Sequence, residues 1–238
     1  SGGGEAIDLA LKTARHATKR RKIVSVAKGY HGHTGLALAA GDERFSRMFL
    51  SEGPPGEFVQ VPWNDLDAMA AALSADDVAA VVLETIPATL GFPPPAPGYL
   101  ARVKTLCTQR GALYIADEVQ TGLGRTGTLW AIEQFDVEPD ILVTGKGLSG
   151  GLYPIAATVL SRRVAGWLDE DGWGHVSTFG GAEVGCRVAQ RVLEITTRPA
   201  TLANVKETTQ HLGDGLEAIR RRHPDWFVEI RRAGLVMG

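Results

Sequence analysis

The sequence predicts an α/β domain with a mainly parallel central sheet flanked by helices. Three observations carry that expectation. Six short runs rich in β-branched residues are nearly continuously apolar, as strands buried on both faces are. Helix-like stretches lie between several of them, the alternation expected of a parallel sheet. The chain has 238 residues, 44% hydrophobic and 22% charged, which is a globular composition at a length that buries a full core.

In chain order, the opening Ser1-Gly2-Gly3-Gly4 feeds an amphipathic segment, residues 5–21, whose Ile7, Leu9, Leu11 and Ala14 partly follow a helical period. Strands are expected at residues 23–26, 58–61, 78–83, 113–116, 141–144 and 155–160. Helices are expected at 65–73 after an Asn64 cap, at 97–110 ending on Gly111, and at 187–196. Pro87, Pro93, Pro94, Pro95 and Pro97 forbid regular structure over 86–97 and make it a stiff loop. Pro199 marks a break, after which 202–223 reads as a helix ending in Arg220-Arg221-Arg222, a solvated terminus favoured by the macrodipole. A strand-like pattern then runs over 226–237. Residues 1–198 are thus expected to form one large domain and 199–238 a connecting helix and the start of a smaller α+β domain. Both ends read as truncated, since the glycine loop has no strand before it and the last strand no partner after it.

A formal charge of 25 minus 27, or -2, leaves no electrostatic footprint for nucleic acid or an anionic membrane. No apolar run approaches the roughly 20 residues that span a bilayer, and the start does not resemble a signal peptide. A soluble, cytoplasmic protein is expected. Cys107 and Cys186 lack metal-ligand or CxxC spacing and read as reduced core thiols.

Gly122-Leu123-Gly124-Arg125-Thr126-Gly127 is a literal GxGxxG, but it begins several residues after the preceding apolar run and is followed by Thr128-Leu129-Trp130. Neither edge fits a dinucleotide-binding turn. Gly145-Lys146-Gly147 lacks the serine or threonine of a phosphate loop that holds magnesium. Lys146 instead closes the apolar Ile141-Leu142-Val143-Thr144 run ahead of a glycine-rich loop. Such an amine, partly desolvated at a strand end, is a candidate Schiff-base nucleophile or a lysine snorkelling to water. Asp117 and Glu118 end another apolar run, where carboxylates are costly unless a cation answers them.

A strand-end acid paired with a strand-end lysine is what pyridoxal phosphate requires: an amine for the aldehyde and a carboxylate to keep the pyridine nitrogen protonated. The glycine loop entering a helix offers N–H groups to a phosphate. Tyr30 follows a strand and can lay its ring on a pyridine. His31 and His33 have two-residue spacing but no third ligand cluster nearby, so no metal site is expected.

Asp117-Glu118-Val119-Gln120-Thr121-Gly122, with the glycines that follow, and then Thr144-Gly145-Lys146-Gly147-Leu148 and Ser177-Thr178-Phe179-Gly180-Gly181, strongly resemble the class III (ω-) aminotransferases. Gly29-Tyr30-His31-Gly32-His33-Thr34 and the Glu5-Ala6 pair resemble the same family, in the same order along the chain. The resemblance implies a fold-type-I pyridoxal-phosphate enzyme, a homodimer, that moves an amino group between an amine or amino acid and a keto acid or aldehyde. It implies Lys146 as the Schiff-base lysine and proton carrier, Asp117 at the pyridine nitrogen, and Val119 and Tyr30 on the two ring faces, with His31 beside the cofactor. Gln120 is implied at the phenolic oxygen, Glu84 on the substrate side, Gly3 and Gly4 at the phosphate, and Thr178 at the phosphate of the partner subunit's cofactor. Decarboxylase and aminomutase members share these cofactor residues, and a non-catalytic fragment retaining the fold is the reading from outside enzymology. Gly2-Gly3-Gly4 stands where the family has Ser-Gly-Thr, which removes a hydroxyl from the phosphate end.

Overall fold

The computed structural model of the chain describes residues 2–238; Ser1 lies outside the described residues. Among the described residues eight strands form: β1 (Lys22–Val26), β2 (Phe58–Val61), β3 (Val78–Glu84), β4 (Leu113–Asp117), β5 (Ile141–Thr144), β6 (Ala157–Leu160), β7 (Arg232–Ala233) and β8 (Val236–Met237). The helices are α1 (Gly3–Thr18), α2 (Gly35–Ala40), α3 (Glu43–Met48), α4 (Leu66–Ala72), α5 (Tyr99–Arg110), α6 (Arg162–Ala165), α7 (Trp167–Glu170), α8 (Glu183–Thr196) and α9 (Pro199–Arg222). Two 3₁₀ helices, Ala131–Phe135 and Lys146–Ser149, follow β4 and β5.

The main sheet has six strands in the order β2-β1-β3-β4-β5-β6. Strands β1 to β5 are parallel, and β6 closes the edge antiparallel to β5. Strands β3, β4 and β5 are buried at every position, which is why their sequences are continuously apolar rather than alternating.

Successive side chains of a strand point to opposite faces, and here they divide into two cores. Val81 and Leu83 of β3, with Tyr114 and Ala116 of β4, pack against α4 and α5. Ala80 and Val82, with Leu113 and Ile115, pack against α1 through Ile7, Ala10, Leu11 and Ala14. Ile7 and Leu11 are fully buried, each contributing about 1.5–3 kcal/mol relative to exposure. Because α1 packs back along the sheet before β1, its N-terminus lies at the carboxyl edge of the parallel strands.

The structure moves several expected boundaries. Helix α1 stops at Thr18, where Lys19 turns into the left-handed region (φ 56°) and donates its N–H to Arg15 O. The α4 cap is Asp65, whose side chain accepts from Ala68 N; Asn64 instead ties the proline loop, donating to Pro94 O and accepting from Ala96 N. Pro199 begins α9 rather than breaking the chain, since the first helical position needs no N–H donor. Helix α8 starts at Glu183, four residues before expectation. The C-terminal strand pattern is a short hairpin in which β7 pairs with β8. Cys107 is buried as expected, whereas Cys186 is exposed on α8. Among the described residues no helix is long and apolar enough to cross a membrane.

Candidate active site

The cavity at the carboxyl edge is assembled from five elements. Its volume is about 360 Å³, and its lining includes Gly3, Gly4, Tyr30, His31, Glu84, Asp117, Val119, Gln120 and Lys146. Nine of the ten residues singled out by sequence therefore meet in one place. The tenth, Thr178, is exposed on the loop before α8 and does not line it.

Strand parity explains which strand-end residues arrive. Leu113 and Ile115 face α1, so Asp117 does too; Glu84 is its registered neighbour on β3 and shares that face. Glu118 falls on the other face. It is buried, but among the described residues no cation answers it: Thr85 and Thr121 hydroxyls and the Ala131 and Ile132 N–H groups do. The expected requirement for a positive partner is corrected accordingly, because four donors satisfy a carboxylate without one.

Asp117 Oδ2 is 2.8 Å from His31 Nδ1, both groups being buried. Its other oxygen accepts the Val119 N–H at 3.1 Å. Burial opposes protonation of His31, but the Asp117 hydrogen bond and the charges of Asp117 and Glu84 outweigh it, and the imidazole pKa is raised. Glu84 accepts the N–H of Tyr30 at 3.0 Å and of Ala88 at 3.1 Å, joining the loops after β1 and β3. Burial pushes its carboxyl pKa up; the His31 charge and these two N–H groups pull the other way without cancelling it. His31 and His33 do not converge: His31 enters the cavity wall, while His33 stacks between Tyr30 and Phe45 at centroid distances of 5.2 and 4.7 Å.

The floor requires glycine. A Cβ on Gly3 would lie 2.9 Å from Val119 Cγ1, and one on Gly4 2.7 Å from Thr34 Oγ1. The first turn of α1 therefore lies close against both neighbouring loops, with backbone N–H groups that have no intrahelical acceptor. Sequence reasoning missed the residue that holds this arrangement. Asp8, one turn into α1, accepts from Thr34 Oγ1 and from Ala37 N, both at 2.8 Å, and clamps the loop after β1 to the helix. Its signal is a carboxylate on the helix that also carries the glycine loop, too common a pattern to single out unaided.

Lys146 opens the 3₁₀ turn after β5 with φ 41°, a left-handed conformation that non-glycine residues avoid. Strain of this kind concentrates at functional positions. Contrary to the expectation of partial desolvation, Lys146 is exposed in the open cavity. Of the GxGxxG run, Gly122 and Gly124 lie in tight turns, with Gly122 N donating to Glu118 O and Gly127 N to Gly124 O, and no α-helix follows.

An open α/β sheet with a lysine, a histidine-supported carboxylate and a helix N-terminus around a cavity at its carboxyl edge is the layout of the ligand-binding α/β proteins, whose sites lie at the strand ends and whose helix N-termini suit an anion. The particular family follows from comparison: a model described as Aminotransferase class-III matches residues 1–238, and the chain belongs to that family. An uncharacterized aminotransferase of Archaeoglobus fulgidus is 52% identical over 237 residues, covering 100% of this chain and 55% of the relative. Among solved structures, a taurine:2-oxoglutarate aminotransferase from Bifidobacterium kashiwanohense, in complex with PLP and glutamate, superposes with a TM-score of 0.88 at 31% identity. It is matched over 99% of this chain and 58% of its own. The ornithine aminotransferase of Toxoplasma gondii ME49 gives a TM-score of 0.85 at 34% identity, over 99% and 57% of the two chains. The chain thus spans little more than half the length of these relatives, and its fold is that of fold-type-I pyridoxal-phosphate aminotransferases.

Proposed function

We propose that this chain carries the cofactor-binding part of a pyridoxal-phosphate-dependent aminotransferase. It would move an amino group from an amine or amino acid to a keto acid or aldehyde. The observation that carries the reading is the buried His31–Asp117 pair facing a glycine-floored cavity into which Lys146 projects. The fit to the cofactor rests on the open cavity that Gly3, Gly4, Tyr30, Asp117, Val119, Gln120 and Lys146 line together, whose glycine floor packs too tightly against Val119 and Thr34 to admit a side chain, and on the donor set.

Gly3 and Gly4 would hold the phosphate at the α1 N-terminus. Val119 and Tyr30 would enclose the ring, with Gln120 donating to its phenolic oxygen. Asp117, oriented by His31, would keep a proton on the ring nitrogen. Bound there, the cofactor supplies an electron sink for the carbon that carries the amino group. Lys146 Nζ is the amine that would receive the aldehyde and, once displaced by the amino substrate, would take the proton from the substrate Cα and deliver it to the former aldehyde carbon, the 1,3-shift that amino transfer requires. Glu84 fixes the backbone of Tyr30 and Ala88 on the substrate side. Within the same reading the protein is a cytoplasmic homodimer in which Thr178 reaches the partner's phosphate, and residues 199–238 begin a smaller domain after a 1–198 large one.

The test is amino transfer by the purified protein supplied with pyridoxal phosphate, a panel of amino donors and a keto acceptor. Equimolar loss of donor amine and gain of acceptor amine, absent from Lys146→Ala, is expected. Carbon dioxide release without an acceptor would make the protein a decarboxylase, and an isomerised amine an aminomutase. A folded, cofactor-loaded protein with none of these reactions would contradict the catalytic reading.

A further inference from the structure

The turn after β4 carries Asp117, Val119 and Gln120 into the cavity, yet the side chain that secures this turn points away from it. Glu118 is 1% exposed. Its carboxylate accepts from Thr85 Oγ1 at 2.6 Å, Thr121 Oγ1 at 2.7 Å, Ala131 N at 3.1 Å and Ile132 N at 2.8 Å. Those donors come from three segments: the residue after β3, the turn itself, and the first turn of the 3₁₀ helix Ala131–Phe135. The Glu118 backbone is committed as well, its N–H donating to Val143 O at 2.8 Å and its carbonyl accepting from Gly122 N at 3.0 Å.

An apolar side chain would fill this position without a desolvation cost, and replacing buried charge by well-packed apolar residues is often neutral or stabilising. What an apolar residue lacks is direction. Four charge-assisted hydrogen bonds from separate segments fix where the turn lies and which way its neighbours point. With Glu118 held on one face, Asp117 must emerge on the other, beside His31. Both Asp117 and Val119 are bonded neighbours of the anchored residue.

We propose that Glu118 is a positioning residue, holding the 117–121 turn in its ligand-ready form before the cofactor arrives. This inference rests on the proposed function above, and the experiment separates the two. Cofactor affinity and the pH midpoint of the visible band are measured for the wild-type protein, Glu118→Gln and a control, Val103→Ala, alongside thermal unfolding. Val103 is fully buried in the same layer, on α5 and away from the turn.

Glu118→Gln places an amide donor against one of the backbone N–H groups and is expected to weaken cofactor binding roughly tenfold or more, by analogy with lost outer-shell partners at metal sites. It also shifts the band's pH midpoint. Val103→Ala lowers Tm but leaves affinity and midpoint within about twofold of wild type, because distant sites act independently. Should Glu118→Gln fail to fold, Thr121→Val removes one donor while keeping the carboxylate, and the same pattern, smaller in size, is expected. Affinity and midpoint moving no more than in Val103→Ala would overturn the positioning role and leave the proposed function standing. A folded wild-type protein that binds no pyridoxal phosphate would overturn both.

Discussion

At the amino-terminal edge of the sheet, Asp140 is met by Lys104 at 2.7 Å, by Arg163 at 2.6 Å and by the Tyr114 N–H at 2.8 Å. At the carboxyl edge, Glu84, Asp117 and Glu118 are also buried, but among the described residues none makes an ion pair with a lysine or arginine. Burial works against the Asp140 carboxylate, yet Lys104, Tyr114 and Arg163 overcome it and its pKa is lowered. At the other edge burial pushes the Glu84 and Glu118 carboxyls up, and Asp117 raises His31 against its burial. One edge spends its carboxylate on holding α5, α6 and β5 together. The other sets Glu84 and the His31–Asp117 pair, with no lysine or arginine bonded to them among the described residues, in the wall of an open cavity, the arrangement expected where a ligand completes the electrostatics.

The comparison breaks most visibly at Asp117. Asp117→Asn keeps the shape but loses the charge that would face the ring nitrogen, and kcat is expected to fall roughly 10²–10³-fold, the dominant effect, beside a drop in Tm from loss of the anionic partner of buried His31. A variant with near-wild-type kcat would place the cofactor elsewhere. Asp140→Ala should do the reverse. It strands the Tyr114 N–H, worth about 1–3 kcal/mol, and loses two part-exposed ion pairs worth up to about 1 kcal/mol each. Thermal unfolding should shift down by roughly 2–4 °C per kcal/mol, with cofactor affinity retained.

His31 sharpens the contrast through pH. Its folded pKa is raised, so its contribution to stability is fully present below the ordinary histidine value of 6.5 and is lost as pH rises through the folded value. Urea unfolding of wild type and His31→Asn should therefore differ most at low pH and converge as the solution becomes alkaline. Asp140 has the opposite sign: its stabilisation is present above the ordinary aspartate value of 3.8 and fades as pH falls through its lowered folded value. A His31→Asn difference that grew with pH would contradict the assigned pairing.

Much of this was legible in the residues. β5 was readable to the residue because a parallel strand buried at every position is a near-continuous apolar run; β2, a partly buried edge strand, was bounded by its Phe58, Val59 and Val61. Asp117 and Lys146 could be found because each is a charge ending such a run. The separate fates of Asp117 and Glu118 were implicit in the alternation of Leu113 to Ala116 but emerge only once a face is known to carry α1. The His31–Asp117 bond spans 86 residues of sequence, and no local pattern encodes it. Helices α2 and α3, six residues each, are too short to show a period. Asn64 and Asp65 are both good caps by type. The choice between them is made by the proline loop, which takes the Asn64 side chain for itself.

The central claim, that the carboxyl edge binds pyridoxal phosphate through Lys146, is tested most directly by adding the cofactor, reducing with borohydride and mapping the modified peptide. The account predicts a visible absorbance band before reduction and a single adduct on Lys146, both lost in Lys146→Ala. An adduct on another lysine, or none on a folded protein, would contradict it.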